Sequence, residues 1–147
     1  MKRILDILFA AIGLVLVFPV LMIAALLIKL DSRGPVLYRQ KRVGRNGTIF
    51  CIYKLRTMVE DADLIGSKIT GKNDTRITQV GNILRWLKID ELPQLLNVIK
   101  GEMSLVGPRP PLQREVVFYD DWQKKRLRIL PGITGLWQVS GRSEIPF

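Results

Sequence analysis

Residues 7–28 read ILFAAIGLVLVFPVLMIAALLI, twenty-two consecutive positions without a charge. As a straight helix at about 1.5 Å per residue, the run is about 33 Å long, enough to cross a hydrocarbon core of about 30 Å. Two features argue against a simple crossing. Pro19 lies inside the run, removes one backbone hydrogen bond and costs about 3 kcal/mol in a helix interior, so a break or sharp kink is expected at Phe18-Pro19. Lys2 and Arg3 precede the run, and Lys29, Arg33, Arg39, Lys41, Arg42 and Arg45 follow it. Both flanks therefore carry the cations typical of cytoplasmic loops. A helix that enters the bilayer, breaks at the proline and returns on the same side satisfies both features. A kinked spanning helix is the competing arrangement, because prolines are tolerated in lipid. A cleaved signal peptide fits less well, since the run exceeds the usual apolar length of about 7 to 15 residues and Asp6 interrupts its approach. Nor can a domain this small easily wrap a helix that is apolar on all sides.

Outward from this run the composition changes near Lys29, which divides the chain into a membrane anchor, residues 1–30, and a cytosolic-face domain, residues 31–147. The full length of 147 residues suits one domain rather than two. Lys and Arg number 23 against 13 Asp and Glu, a net charge of +10 with no His, so an anionic partner is expected: nucleic acid, a nucleotide or an acidic lipid surface. Nucleic-acid binding accounts for the charge but not for the apolar run, and no nucleic-acid partner is expected. The absence of His removes imidazole bases and His-ligated zinc, and the single Cys51 removes intrachain disulfides and Cys-rich metal sites. Carboxylates and cations must carry any chemistry.

After the turn signal Gly34-Pro35, residues 36–58 read VLYRQKRVGRNGTIFCIYKLRTM. Two strand-like runs flank Asn46-Gly47, a pair suited to a type I′ hairpin turn. Six cations, Arg39, Lys41, Arg42, Arg45, Lys54 and Arg56, occur with no acid between Asp31 and Glu60, a density that suits a phosphate or lipid contact or a solvated strand face. Residues 60–78 are polar and read as a loop. NILRWLKI, residues 82–89, suits a short helix with Arg85 and Lys88 on one side. In DELPQLLNVIKG, residues 90–101, Asp90 is a suitable N-cap, Pro93 falls in the first turn and Gly101 suits the residue just past the end, so a helix over about 91–100 is expected. Its N-terminus suits an anionic phosphate, although a cap followed by a first-turn acid is also an ordinary structural pattern. In GEMSLVGPRPP, glycine and prolines hold the backbone around Arg109, whose guanidinium suits bidentate phosphate binding or a plain surface turn. Residues 112–130 set Phe118, Tyr119 and Trp122 beside Lys124, Lys125, Arg126 and Arg128, either for a membrane interface or as an amphipathic helix with its aromatics in the core. LWQV, residues 136–139, is strand-like.

RQKRVG, IYKLRTM, IDELPQLLNVIKGEMSLVGPRP and PGITGLWQVSGR stand here in the order seen in the bacterial sugar transferases, and the chain resembles the monotopic phosphoglycosyl transferases among them. The resemblance implies a small α/β, mainly helical, membrane-associated domain with an N-terminal re-entrant, helix-break-helix hairpin, on the cytosolic face of the inner membrane. It also implies transfer of a sugar 1-phosphate from a nucleotide diphospho-sugar, commonly a UDP-sugar, to a polyprenol phosphate, with Mg²⁺ and release of a nucleoside monophosphate. This is the first membrane step of exopolysaccharide, lipopolysaccharide or other surface-glycan synthesis. By motif, Asp90 is the implied nucleophile, forming an aspartyl-phosphosugar. Glu91 assists metal or proton handling, Asp90 and Glu91 are the metal ligands, and Lys54, Arg85, Arg109 and Arg142 bind substrate phosphate. Family members usually continue past the Gly-Arg motif, whereas this chain ends five residues after Arg142. A C-terminally shortened form is thus implied, with an inactive form or a non-catalytic membrane scaffold as the alternative.

Overall fold

The computed structural model describes residues 1–62 and 74–135. Helix α1, Lys2–Asp31, leads into a hairpin of β1, Leu37–Val43, and β2, Ile49–Leu55. Helix α2, Gln79–Trp86, is followed by a 3-10 turn, Ile89–Gln94, that runs into helix α3, Leu95–Lys100. Strand β3, Ser104–Val106, the short helices α4, Gln113–Val116, and α5, Asp121–Lys124, and strand β4, Gly132–Thr134, follow, with further 3-10 turns at Arg45–Gly47 and Lys125–Arg128. β1 and β2 are antiparallel with Val43 opposite Ile49, whereas β3 and β4 are parallel with Ser104 opposite Gly132. The fold is mixed α/β and about half helical, rather than mainly helical as expected. The strand expected over residues 136–139 lies outside the described residues.

The expected break at Phe18-Pro19 is absent: α1 runs unbroken from Lys2 to Asp31 with Pro19 inside it. There is no helix-break-helix hairpin in this structure. The reason is tertiary. Wholly or partly buried positions recur along α1 at 3, 6, 10, 13, 14, 17, 21, 24, 25 and 28, centred on the three-and-four spacing of one helical face. This stripe passes Pro19 on both sides, and Pro19 itself is on the exposed side. One missing hydrogen bond is set against packing along the whole helix, and the packing wins.

Both ends of α1 are fastened to the same body. At the start, Arg3 donates from Nη2 to the Val98 carbonyl (2.6 Å) and from Nη1 to the Met103 carbonyl (3.1 Å), and Lys2 Nζ donates to the Val106 carbonyl (3.0 Å). Buried Asp6 accepts from Ser104 Oγ (2.8 Å) and the Leu105 N–H (3.3 Å), which satisfies a carboxylate that would otherwise be costly there. At the other end, Arg56 donates to the carbonyls of Ser32 (2.7 Å) and Arg33 (2.6 Å). Between these clasps, Ala10 packs with Phe50, Ile52, Val98 and Met103, and Ala24 and Ile28 pack with Leu55 and Leu84. The remaining faces of α1 expose large apolar side chains such as Leu8, Phe9, Ile12, Leu16 and Ile23. Only 11% of its most apolar stretch is buried, so α1 is not the core helix of a water-soluble domain.

The hairpin turn forms as its sequence predicts. Asn46 and Gly47 both have positive φ (57° and 79°), and the Thr48 N–H donates to the Arg45 carbonyl at 3.2 Å. The short second helix also forms, though it begins at Gln79, with Thr78 Oγ1 accepting from the Gly81 N–H (3.0 Å), and ends at Trp86. Phe118 and Trp122 are exposed rather than packed in a core, which removes the amphipathic-packing alternative for residues 112–130.

Gly81 lies where α2 crosses the end of the hairpin, and a Cβ there would sit 2.0 Å from the Thr57 carbonyl oxygen. Helix propensity favours Ala over Gly by about 1 kcal/mol, but a clash with backbone cannot be relieved by turning a side chain and costs about 1–3 kcal/mol. Gly81→Ala should therefore lower the denaturation midpoint, and a stabilised variant would contradict the close approach. Asp74 is held by Arg76 at 2.6 Å, which lowers its carboxyl from an ordinary 3.8 to about 2, the hydrogen bonds from the Arg76 side chain and backbone being the cause. Because that pKa is depressed, the stabilisation is present above the ordinary value and fades as pH falls towards about 2. Asp74→Asn should melt below the wild type at pH 7 and level with it near pH 2; an equal gap at both pH values would refute the linkage.

Candidate active site

β2 exits the core carrying Lys54, two residues beyond Ile52 and four beyond Phe50. Alternation places it on the face of those two core side chains. Its ammonium meets Glu91 Oε1 at 2.8 Å. Glu91 and Asp90 ride on the 3-10 turn, which Lys88 opens in the left-handed conformation (φ 61°). Asp90 is therefore not an N-cap. An N-cap needs an extended backbone, but Lys88 turns the chain straight from the end of α2 into the next helical turn, so Asp90 lies inside the first turn with no side-chain cap. Pro93 stands within that turn, and Gly101 ends α3 in the left-handed conformation (φ 94°), as the sequence predicts.

Asp90 is only 8% exposed, in contrast to Glu91, whose side chain is 34% exposed. Burial pushes the Asp90 carboxyl above the usual carboxylate range. Lys54 opposes that shift most strongly, Glu91 adds to it, and Arg85 and Lys88 oppose it. Arg85 is steadied from α2 by its Nε bond to Thr57 Oγ1 (2.8 Å). Two carboxylates are thus placed among three cations. The Lys54–Glu91 pair is partly solvated and stabilises the fold by about 0–1 kcal/mol, so its interest lies in the charge pattern rather than in stability.

Of the six residues proposed from sequence, the structure brings together Lys54, Arg85, Asp90 and Glu91. Arg109 stands apart. It lines a small recess with Gly44, Pro108, Pro111 and Arg126, beside the buried Arg42. Burial lowers the Arg42 guanidinium to about 10, and the charge of Arg109 adds to that effect. Arg109 thus stands at the turn end of the β1–β2 hairpin, beside Val43 and Gly44, whereas Lys54 pairs with Tyr38 towards its open end. Arg142 lies outside the described residues. Lys88 joins the site without having been singled out as a site residue. Its place two positions before Asp90 was a usable signal, whereas its left-handed backbone has none in a lysine.

Mg²⁺ prefers hard oxygen donors and is often held by one or two carboxylates, with water and substrate phosphate completing its shell. The adjacent Asp90 and Glu91 fit that pattern. No group of three or more His, Cys, Asp or Glu side chains occurs among the described residues, so a fully protein-made cage is not what these residues offer.

The bacterial sugar transferase family model matches residues 1–147. The exopolysaccharide production protein ExoY of Sinorhizobium fredii is 40% identical, over 99% of this chain and 71% of its own length. The galactosyl transferase CpsE of Streptococcus agalactiae is 48% identical, over 98% of this chain and 34% of its own length. The UDP-glucose:undecaprenyl-phosphate glucose-1-phosphate transferase of Caulobacter vibrioides is 48% identical, over 95% of this chain and 54% of its own. The chain thus spans from about a third to about 70% of these relatives. With the Asp90-Glu91 pair, its attendant cations and the long apolar helix all carried within the matched region, the chain belongs to the bacterial sugar transferase family of enzymes.

Proposed function

We propose that this chain transfers a sugar 1-phosphate from a nucleotide diphospho-sugar to a polyprenol phosphate, with Asp90 as the nucleophile. The observation that carries the reading is the placing of a buried aspartate among Lys54, Arg85 and Lys88, on a domain clasped to a long, largely exposed apolar helix. An apolar helix suits a lipid acceptor, and a carboxylate surrounded by cations suits an anionic diphosphate. The Caulobacter relative's name supports a UDP-sugar donor and an undecaprenyl phosphate acceptor.

In the first step an Asp90 carboxylate oxygen attacks the phosphorus bonded to the sugar. The bond to the bridging oxygen breaks, and the nucleoside monophosphate leaves with that electron pair. In the second step a phosphate oxygen of the polyprenol attacks the same phosphorus, the bond to Asp90 breaks, and the carboxylate is regenerated as the polyprenol diphospho-sugar departs. A carboxylate needs no base to become a nucleophile at pH 7, which suits a chain without His. Lys54, Arg85 and Lys88 offset the repulsion between that carboxylate and the diphosphate. Glu91 would hold Mg²⁺ together with Asp90; when bound, the ion would neutralise charge on the diphosphate oxygens. Arg109 and Arg142 are assigned to substrate phosphate as well.

Both clasps on α1 belong to one body, so both ends of the helix are assigned to the cytosolic face of the inner membrane. In this monotopic arrangement the exposed side of α1 is sunk in lipid. The pathway step is the first membrane-bound one of surface-polysaccharide assembly.

Intact-mass analysis after incubation with UDP-sugars and Mg²⁺, but no acceptor, should show one phosphosugar added to the wild type. Asp90→Asn should show none and should lose turnover, while melting no lower than the wild type because a neutral isostere replaces a buried ionised group. An adduct on Asp90→Asn would assign the nucleophile elsewhere, and unimpaired turnover would support a scaffold role for the pair.

A further inference from the structure

Asn97 is fully buried, and its amide is used in every direction. Oδ1 accepts from the Tyr53 N–H at 3.1 Å, and Nδ2 donates to the Cys51 carbonyl at 2.8 Å and to Glu102 Oε2 at 2.7 Å. The Tyr53 N–H and Cys51 carbonyl lie on the edge of β2 that a further strand would pair with, and one side chain takes that strand's place. The Asn97 backbone carbonyl also accepts from the N–H groups of Glu102 and Met103. One residue thus joins β2, α3 and the turn into β3.

The next residue after Tyr53 is Lys54, and α3 continues directly from the turn that carries Asp90 and Glu91. The reach of Lys54 to Glu91 is therefore fixed by how β2 sits against α3, and the Asn97 amide is the buried polar tie between those two elements, beside the exposed bond from Lys100 Nζ to the Tyr53 hydroxyl. We propose that Asn97 is a positioning residue for the transfer reaction, its side chain holding β2 in register with α3 so that Lys54 stands beside the Asp90-Glu91 pair. This rests on the reading of Asp90 as nucleophile.

The first half-reaction tests it, read as the rate of phosphosugar adduct formation against donor concentration in the full chain. Asn97→Asp keeps the acceptor for Tyr53 but sets a carboxylate against Glu102 and the Cys51 carbonyl. Adding Glu102→Gln supplies a donor and removes one repulsion. Val98→Ala serves as the control, since Val98 is equally buried, adjacent on α3 and packed in the core. At a temperature where the compared variants are folded, Asn97→Asp should lower the maximal rate about 10- to 100-fold, with half-saturation changed less than about threefold, as expected of a misplacement near 1 Å. The paired Asn97→Asp, Glu102→Gln variant should recover part of that rate, and Val98→Ala should stay within about twofold of wild type. If Asn97→Asp does not fold alone, the paired variant is compared with Val98→Ala by the same criterion. A loss no greater than that of Val98→Ala, or a loss confined to half-saturation, would overturn the proposal. Adduct formation by Asp90→Asn, measured in parallel, would instead overturn the nucleophile while leaving the Asn97 comparison readable.

Discussion

The described fold depends on the packing of α1 against the domain along a single narrow stripe. Both hydrophobic clusters take side chains from this helix, Ala10 in one and Ala24 with Ile28 in the other. Small residues at 10, 13 and 24 let the helix backbone come close, and a Cβ at Gly13 would already touch Leu95. Apart from Ile28 and Leu21, most of its large apolar side chains are turned the other way. The helix is thus a core element along its stripe, while its remaining apolar surface suits an apolar phase.

The site inherits its geometry from that packing. α1 meets α3 through the bond from Arg3 to the Val98 carbonyl and meets the β2 end through Ile28 and Leu55. Between these supports, α3 and β2 hold Asp90 and Lys54 on facing elements. Burying Asp90 works against stability, because burial disfavours its ionised form and the nearby cations oppose that only in part. A carboxylate kept in such a place suits chemistry better than it suits folding, a conflict characteristic of functional sites.

Local rules made part of this legible in the sequence. Asn46-Gly47 and Gly101 could be assigned because positive φ admits few residue types, and the apolar run could be seen without any structure. Where tertiary contacts decide, the sequence misled. Pro19 is a helix breaker by local rule, yet it falls on the exposed side of a helix held along its other face. Asp90 has the composition of an N-cap, but Lys88 adopts the left-handed turn that a glycine would have announced. Lys54, Arg85, Asp90 and Glu91 were found through motif and charge and do converge. Arg109 was grouped with them by family motif, and the fold sets it near Arg42 and Arg126. Asn97 reads as one polar residue in a short amphipathic helix, and only the unpaired edge of β2 gives it meaning.

α1 is clasped at both ends to one domain, and in the arrangement proposed for it the helix does not carry the chain across the bilayer. The most direct measurement places single cysteines at Lys2 and at Arg33, in a Cys51→Ser background, and treats spheroplasts and inverted inner-membrane vesicles with a membrane-impermeant maleimide. The account predicts that both positions are protected in spheroplasts and labelled in inverted vesicles. Labelling of one position in spheroplasts and the other only in inverted vesicles would show a spanning helix and contradict it.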